Sequence, residues 1–208
     1  MADVWAMIAA DRTGLAEDLS ELTDEQWACP SLCAEWRVRD VVAHLSMPFH
    51  VSLPKMVLMM VKNRFDFDKL SSRYATSDAR PVAELVDDLL RNAQHRFTPP
   101  GFGPEAPLTD LVVHGQDIRR PLGLHHDIPA EHARVVLDLL VSPKGARAFG
   151  KRDLLAGLRL EVDDLDWSHG SGRVISGRAE PMIVALAGRT VALDELSGPG
   201  LDELRRRI

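Results

Sequence analysis

Apolar residues recur at helical spacing in four long stretches before Gly123, and this constrains the fold more than any other feature of the sequence. Val4–Leu22 carries Val4, Met7, Ile8, Leu15, Leu19 and Leu22 on one stripe. A second helix is expected from Arg37 to about Met47, with Val38, Val41, Val42 and Leu45 inward and Asp40 in its first turn, where a carboxylate suits the helix dipole. A third spans Arg80–Phe97, with Pro81 at its start, and a fourth lies within Leu108–Gly123, stopped by Pro121 and Gly123. Pro48 and Pro54 interrupt the chain after the second helix; Leu53–Phe65 reads as further helix and the polar run Ser71–Ser77 as a connection. Four such helices joined in sequence predict an antiparallel bundle, whose core is a place where facing side chains build metal sites.

Past Gly123 the pattern changes. Pro129–Leu140 is one more amphipathic helix, broken by Ser142-Pro143-Lys144-Gly145. Leu155–Val162 alternates like a strand, and Arg173–Arg178 is expected to pair with it as a hairpin, with SHGSG as the turn. Short helices are expected at Glu180–Ala187, Leu193–Leu196 and Leu201–Arg207. The reading is a mainly α chain with a small α/β C-terminal domain: a helical domain over residues 1–125, a helix or linker over 126–145, and the α/β domain over 146–208.

Bulk properties exclude several classes of function. With 208 residues and 45% hydrophobic content the chain can bury a large core. A formal charge of −6 without a basic stripe argues against nucleic acid and anionic membranes as partners. The longest apolar patch, Leu53–Val61, carries Lys55 and is far short of the roughly 20 residues that cross a bilayer. Two cysteines, Cys29 and Cys33, are too few for a disulfide framework and fit a reducing cytoplasm, as does the lack of a basic-then-apolar leader. Their spacing does not make a zinc knuckle, and they read as small thiols in a loop near Trp27 and Trp36.

The chemistry concentrates in LTDLVVHGQDIRRPLG. At about 100° per residue, Asp110 and His114 project within about 40° of each other, one turn apart. His44, in VRDVVAHLSM, is the third candidate. Two imidazoles and a carboxylate from two helices leave one position open on a divalent ion, as in a catalytic rather than a structural zinc site. Asp117 and Asp40 are candidates to bond the outer ring N–H of a ligand histidine. Arg39, Arg119 and Arg189 are candidates to grip a substrate carboxylate. No catalytic side chain is assigned beyond the metal ligands.

Three segments carry a family resemblance. CAEWRVRDVVAHL resembles the Cys-x-Gly-Trp-Thr-Val-Arg-Asp-Val-Val-x-His-Leu signature of the mycothiol-dependent maleylpyruvate isomerase family. LVVHGQDIRRPLG is similar to that family's ligand helix, and LEVDDLDWSHGSGRVISGRAEPMIVALAGR to its C-terminal domain. The resemblance implies a DinB-type four-helix bundle joined to a sterol-carrier-protein-like α/β domain. It implies a divalent metal, usually zinc, held by His44, Asp110 and His114. It also implies the thiol cofactor mycothiol, an actinobacterial source and a small electrophile as substrate, with Arg189 of the Gly-Arg pattern as a binding residue. Asp110 stands where the family most often has Glu, one methylene longer, and Arg37 where Thr is usual.

A metal ion deprotonates a bound thiol at neutral pH, so the open position is expected to receive the cofactor sulfur. A thiolate adding to an activated double bond, allowing rotation and leaving, isomerises it; with another electrophile the same site transfers sulfur. Two alternatives share these residues. One is a non-catalytic small-molecule-binding module whose metal site has degenerated at Asp110. The other is a thiol-independent metallohydrolase, with water in the fourth position.

Overall fold

The computed structural model describes residues 3–64, 66–148 and 153–208, so Phe65, the last residue of one expected helix, lies outside the described residues. Two compact units divide the described chain, Asp3–His125 and His126–Ile208.

In the first unit, α1 (Val4–Ser20), α3 (Val38–His50), α6 (Val82–Arg91) and α7 (Glu105–Leu122) close a four-helix ring: α1 and α3 each pack against both α6 and α7. Ile8, Leu15, Leu19, Leu85, Leu89, Leu108 and Ile118 are fully buried among them. Each such side chain removed from water contributes ~1.5–3 kcal/mol. A one-turn helix, α2 (Asp24–Ala28), starts from a reciprocal Thr23–Gln26 capping box and seats Trp27 in the core.

Arg12 shows how the ring is fastened. It is 6% exposed, and its Nη1 donates to the carbonyls of Asn92, Ala93 and His95 at 3.0, 3.1 and 2.8 Å. Those oxygens lie just past the C-terminus of α6, where a cation is favoured. Burial lowers the guanidinium to about 10, which leaves it charged at neutral pH.

Several helices differ from the sequence expectation; α6 ends at Arg91 instead of Phe97, where Arg12 takes the carbonyls of Asn92, Ala93 and His95. The run Ser71–Ser77 is not a connection but the second half of α5 (Phe67–Ser77), which is capped by Asp66 and packs along α3. Its buried face is Leu70, Ser71 and Ala75; with one large apolar side chain among the three, it carries too weak an apolar period to stand out. α3 also runs through Pro48 to His50, where Met47 and Val51 pack with Leu70. α4 (Leu53–Lys62) covers that cluster with Met56, Met59 and Met60.

In the second unit, α8 (Ala130–Val141) and the short α9 (Pro143–Ala148) precede a three-stranded sheet. The expected break at Ser142–Gly145 is thus brief, because Ser142 Oγ accepts the Gly145 N–H at 2.9 Å and restarts the helix. Strand order is β2 (Trp167–Gly170), β1 (Leu158–Val162), β3 (Arg173–Gly177). β1 pairs antiparallel with β2 and parallel with β3, which corrects the expected hairpin between the first and last of these strands. The hairpin turn is Asp163–Asp166, and most of SHGSG is strand. The chain then crosses the start of β1 through Ser171-Gly172. Gly172 has φ +126°, and a Cβ there would sit 2.1 Å from Gly157 O, so this crossover needs glycine. α10 (Ala179–Leu186) packs against α8, a 3-10 turn covers Thr190–Glu195, and α11 (Leu201–Arg207) closes the chain. Among the described residues no helix is long and apolar enough to cross a membrane.

Candidate metal centre

Helical spacing places Asp110 and His114 on one face of α7, and the packing of α3 on α7 brings His44 to them. One ligand atom from each of the three lies within 4.8 Å of the others. Asp110 Oδ1 is 3.5 Å from His44 Nε2 and 3.5 Å from His114 Nε2. Strong N–H···O bonds are shorter, about 2.7–3.2 Å. A tetrahedral zinc with ligands at about 2.0–2.1 Å has ligand–ligand edges of about 3.3–3.4 Å. The separations therefore suit three corners of a coordination sphere better than a hydrogen-bonded trio. His44 and His114 are largely enclosed, with side chains 7% and 12% exposed, whereas Asp110 is 47% exposed. The open side of the centre is thus the side of Asp110.

The outer ring nitrogens of both histidines are bonded. His114 Nδ1 is 2.8 Å from Asp117 Oδ2, and Asp117 is fully buried. His44 Nδ1 is 2.7 Å from Ser71 Oγ, from α5. With Nδ1 engaged on each ring, Nε2 is the atom left to meet a cation, and both Nε2 atoms face Asp110. The donor set, the two edges at Asp110 and the outer partners fit a divalent cation.

Trp36 forms the wall beside the centre. Its ring centroid is 5.2 Å from that of His44 and 6.0 Å from that of His114, stacked on the latter at 25°. The loop carrying it is tied to α7 by a consequence of Pro121. Proline has no N–H to give the carbonyl four residues back, which is that of Asp117. That oxygen accepts the Leu32 N–H instead, at 3.0 Å. Cys33 in the same loop approaches closely enough for its sulfur, His114 and Asp117 to form a second group within 4.8 Å. Asp117 is already bonded to His114 there.

Other candidates sit elsewhere. Asp40 accepts the Arg37 backbone N–H at 2.9 Å and a two-point clamp from the Arg37 guanidinium. It therefore caps α3, while Ser71 holds His44; the hydrogen bond to Asp40 raises the Arg37 pKa. Arg37 thus keeps half of a capping box without a hydroxyl of its own. Arg39 Nη2 donates to the carbonyls of Asp78 and Arg80. Arg119 Nε donates to Asp18 Oδ2 at 2.7 Å and joins α7 to α1. Arg189 lies in the second unit, where Nη1 donates to Ala187 O at 2.6 Å. Ser71 and Trp36 are what sequence reasoning missed. Asp66 as a cap with Phe67, Leu70 and Tyr74 behind it was the signal for α5, and the Trp of CAEWRVRDVVAHL was the signal for the wall.

A family model described as the mycothiol maleylpyruvate isomerase N-terminal domain matches residues 8–119. No curated protein matches the chain. Two crystal structures of mycothiol-dependent maleylpyruvate isomerase are similar, one of a His-to-Ala mutant at TM-score 0.57 and 14% identity, the other at 0.56 and 15%. Each alignment covers 96% of both chains, so the likeness extends across the helical and α/β units alike.

Proposed function

Because the chain belongs to the mycothiol maleylpyruvate isomerase family, we propose that it is a metal-dependent enzyme that activates a low-molecular-weight thiol, mycothiol, for isomerisation of or sulfur transfer to a small electrophile. The observation that carries this reading is the pair of 3.5 Å separations from Asp110 Oδ1 to the Nε2 atoms of His44 and His114. These three residues would hold the ion, with zinc the best match to two imidazoles and one carboxylate. Bound there, a divalent cation would supply Lewis acidity and make a neighbouring thiol anionic at neutral pH. The chain's own residues do the rest. His44 and His114 turn Nε2 inward, Asp117 accepts the outer N–H of His114, and Trp36 packs beside both rings, stacked on His114. Asp110 brings the negative charge and leaves its exposed side for the thiol and its electrophile. On this reading the helical unit is a DinB-type bundle and the second unit sterol-carrier-protein-like, in a cytoplasm that keeps thiols reduced.

The test is turnover of a panel of small electrophiles, maleylpyruvate among them, with and without mycothiol and with and without a chelator. Thiol-dependent, chelator-sensitive turnover is expected. Turnover of an ester or amide without thiol would instead make the same ligand set a hydrolase.

A further inference from the structure

α5 stands outside the four-helix ring, yet two consecutive hydroxyls on it reach the candidate centre. Ser71 Oγ lies 2.7 Å from His44 Nδ1, and Ser72 Oγ accepts Trp36 Nε1–H at 3.3 Å. Ser71 is 4% exposed and His44 6%, so bulk water does not compete for this contact. The two histidines consequently differ. A carboxylate only accepts, so Asp117 fixes the proton of His114 on Nδ1 and leaves the Nε2 lone pair facing Asp110. A hydroxyl both donates and accepts, so at His44 the same outcome depends on how Ser71 is used. A cation at His44 Nε2 requires the proton on Nδ1, and Ser71 Oγ is the oxygen in reach.

Resting on the metal reading above, we infer that Ser71 is a positioning residue: it accepts the Nδ1–H of His44 and holds the imidazole in the tautomer and orientation that direct Nε2 to the ion. The ring comes from α3 and its partner from α5, so the docking of α5 on α3 and the presentation of a ligand are one event.

The experiment measures zinc affinity by chelator competition in wild type, Ser71→Ala and Ser71→Thr. Histidine N–H signals are recorded on the zinc-loaded, nitrogen-15-labelled proteins. Ser71→Ala should bind zinc ~10–100-fold more weakly and Ser71→Thr, which keeps the hydroxyl, within about threefold of wild type. A protected Nδ1–H of His44 should appear in wild type and be lost to exchange in Ser71→Ala, with the His114 signal unchanged. A role confined to packing would move neither the His44 signal nor the affinity. Zinc affinity of Ser71→Ala within about twofold of wild type overturns the inference. So does zinc-loaded wild type with no Nδ1–H on His44, a result that needs no variant to fold. Wild type that binds no zinc overturns the metal reading itself, and the role of Ser71 with it.

Discussion

Asp110 is where the account is most exposed, because the family resemblance implies the longer Glu there. An added methylene shifts a carboxylate by roughly 1.5 Å, against a coordination tolerance of about 0.2 Å. With Asp, Oδ1 already stands 3.5 Å from both Nε2 atoms, within that tolerance of a tetrahedral edge of about 3.3–3.4 Å. Asp110→Glu must therefore fold its extra carbon back. An off-rotamer torsion costs ~0.5–1.5 kcal/mol, which corresponds to ~2–12-fold weaker zinc binding. Asp110→Asn removes the charged ligand and should weaken binding more than the ~10–100-fold that follows loss of an outer partner, which is more than about 2.7 kcal/mol at its upper end. Chelator competition on purified protein, with metal content measured before any metal is added, reads both variants. The expected order is wild type, then Glu, then Asn. Wild type without stoichiometric metal, with metal gained by Asp110→Glu, would make this a degenerate binding module and not a metal enzyme.

Three further outcomes follow from particular contacts. Asp117→Asn should weaken zinc binding ~10–100-fold in the same assay, because a buried carboxylate no longer fixes the His114 tautomer; unchanged affinity would show that the 2.8 Å contact is incidental. Glu35 has φ 67°, at the position where the family signature carries Gly. Glu35→Gly should stabilise the chain by about 1 kcal/mol, the left-handed penalty less the entropy of the more flexible unfolded chain, read as a higher unfolding midpoint; a lower midpoint contradicts it. Hydrogen bonds from Arg80 hold Asp78 below the usual carboxylate range. Its contribution to stability is thus complete above the ordinary carboxylate pKa near 4 and is lost as pH falls through the lower folded value. The gap in thermal midpoint between wild type and Asp78→Asn should narrow as pH is lowered below about 4; a gap that stays constant contradicts it.

How much was legible depends on what each segment buries. α1 buries a broad apolar face, and α11 is bounded by a glycine before it and arginines at its end, so their limits could be read from residue spacing; α7 starts at Glu105, before the expected Leu108, and runs through Pro121 to its Gly123 cap. The Asp110–His114 pair was legible for the same reason, since a helix brings residues four apart onto one face. α5 was not, because Ser71 is buried by a bond to a histidine 27 positions away, which no local period records. β2 was hidden because only Trp167 of its four residues is buried, and the crossover at Gly172 looked like a turn. Arg39 and Arg119 are charges in the sequence but act in the fold by bonding a loop and a neighbouring helix.

The most direct measurement is X-ray absorption at the zinc edge of the loaded protein before and after mycothiol is added. Two nitrogens and at least one oxygen at about 2.0–2.1 Å should be present from the start, and one sulfur at about 2.3 Å should appear with the thiol. The same experiment on His44→Ala should lose both the metal and the sulfur shell. A wild-type spectrum that gains no sulfur, or a His44→Ala spectrum that matches wild type, would contradict the account.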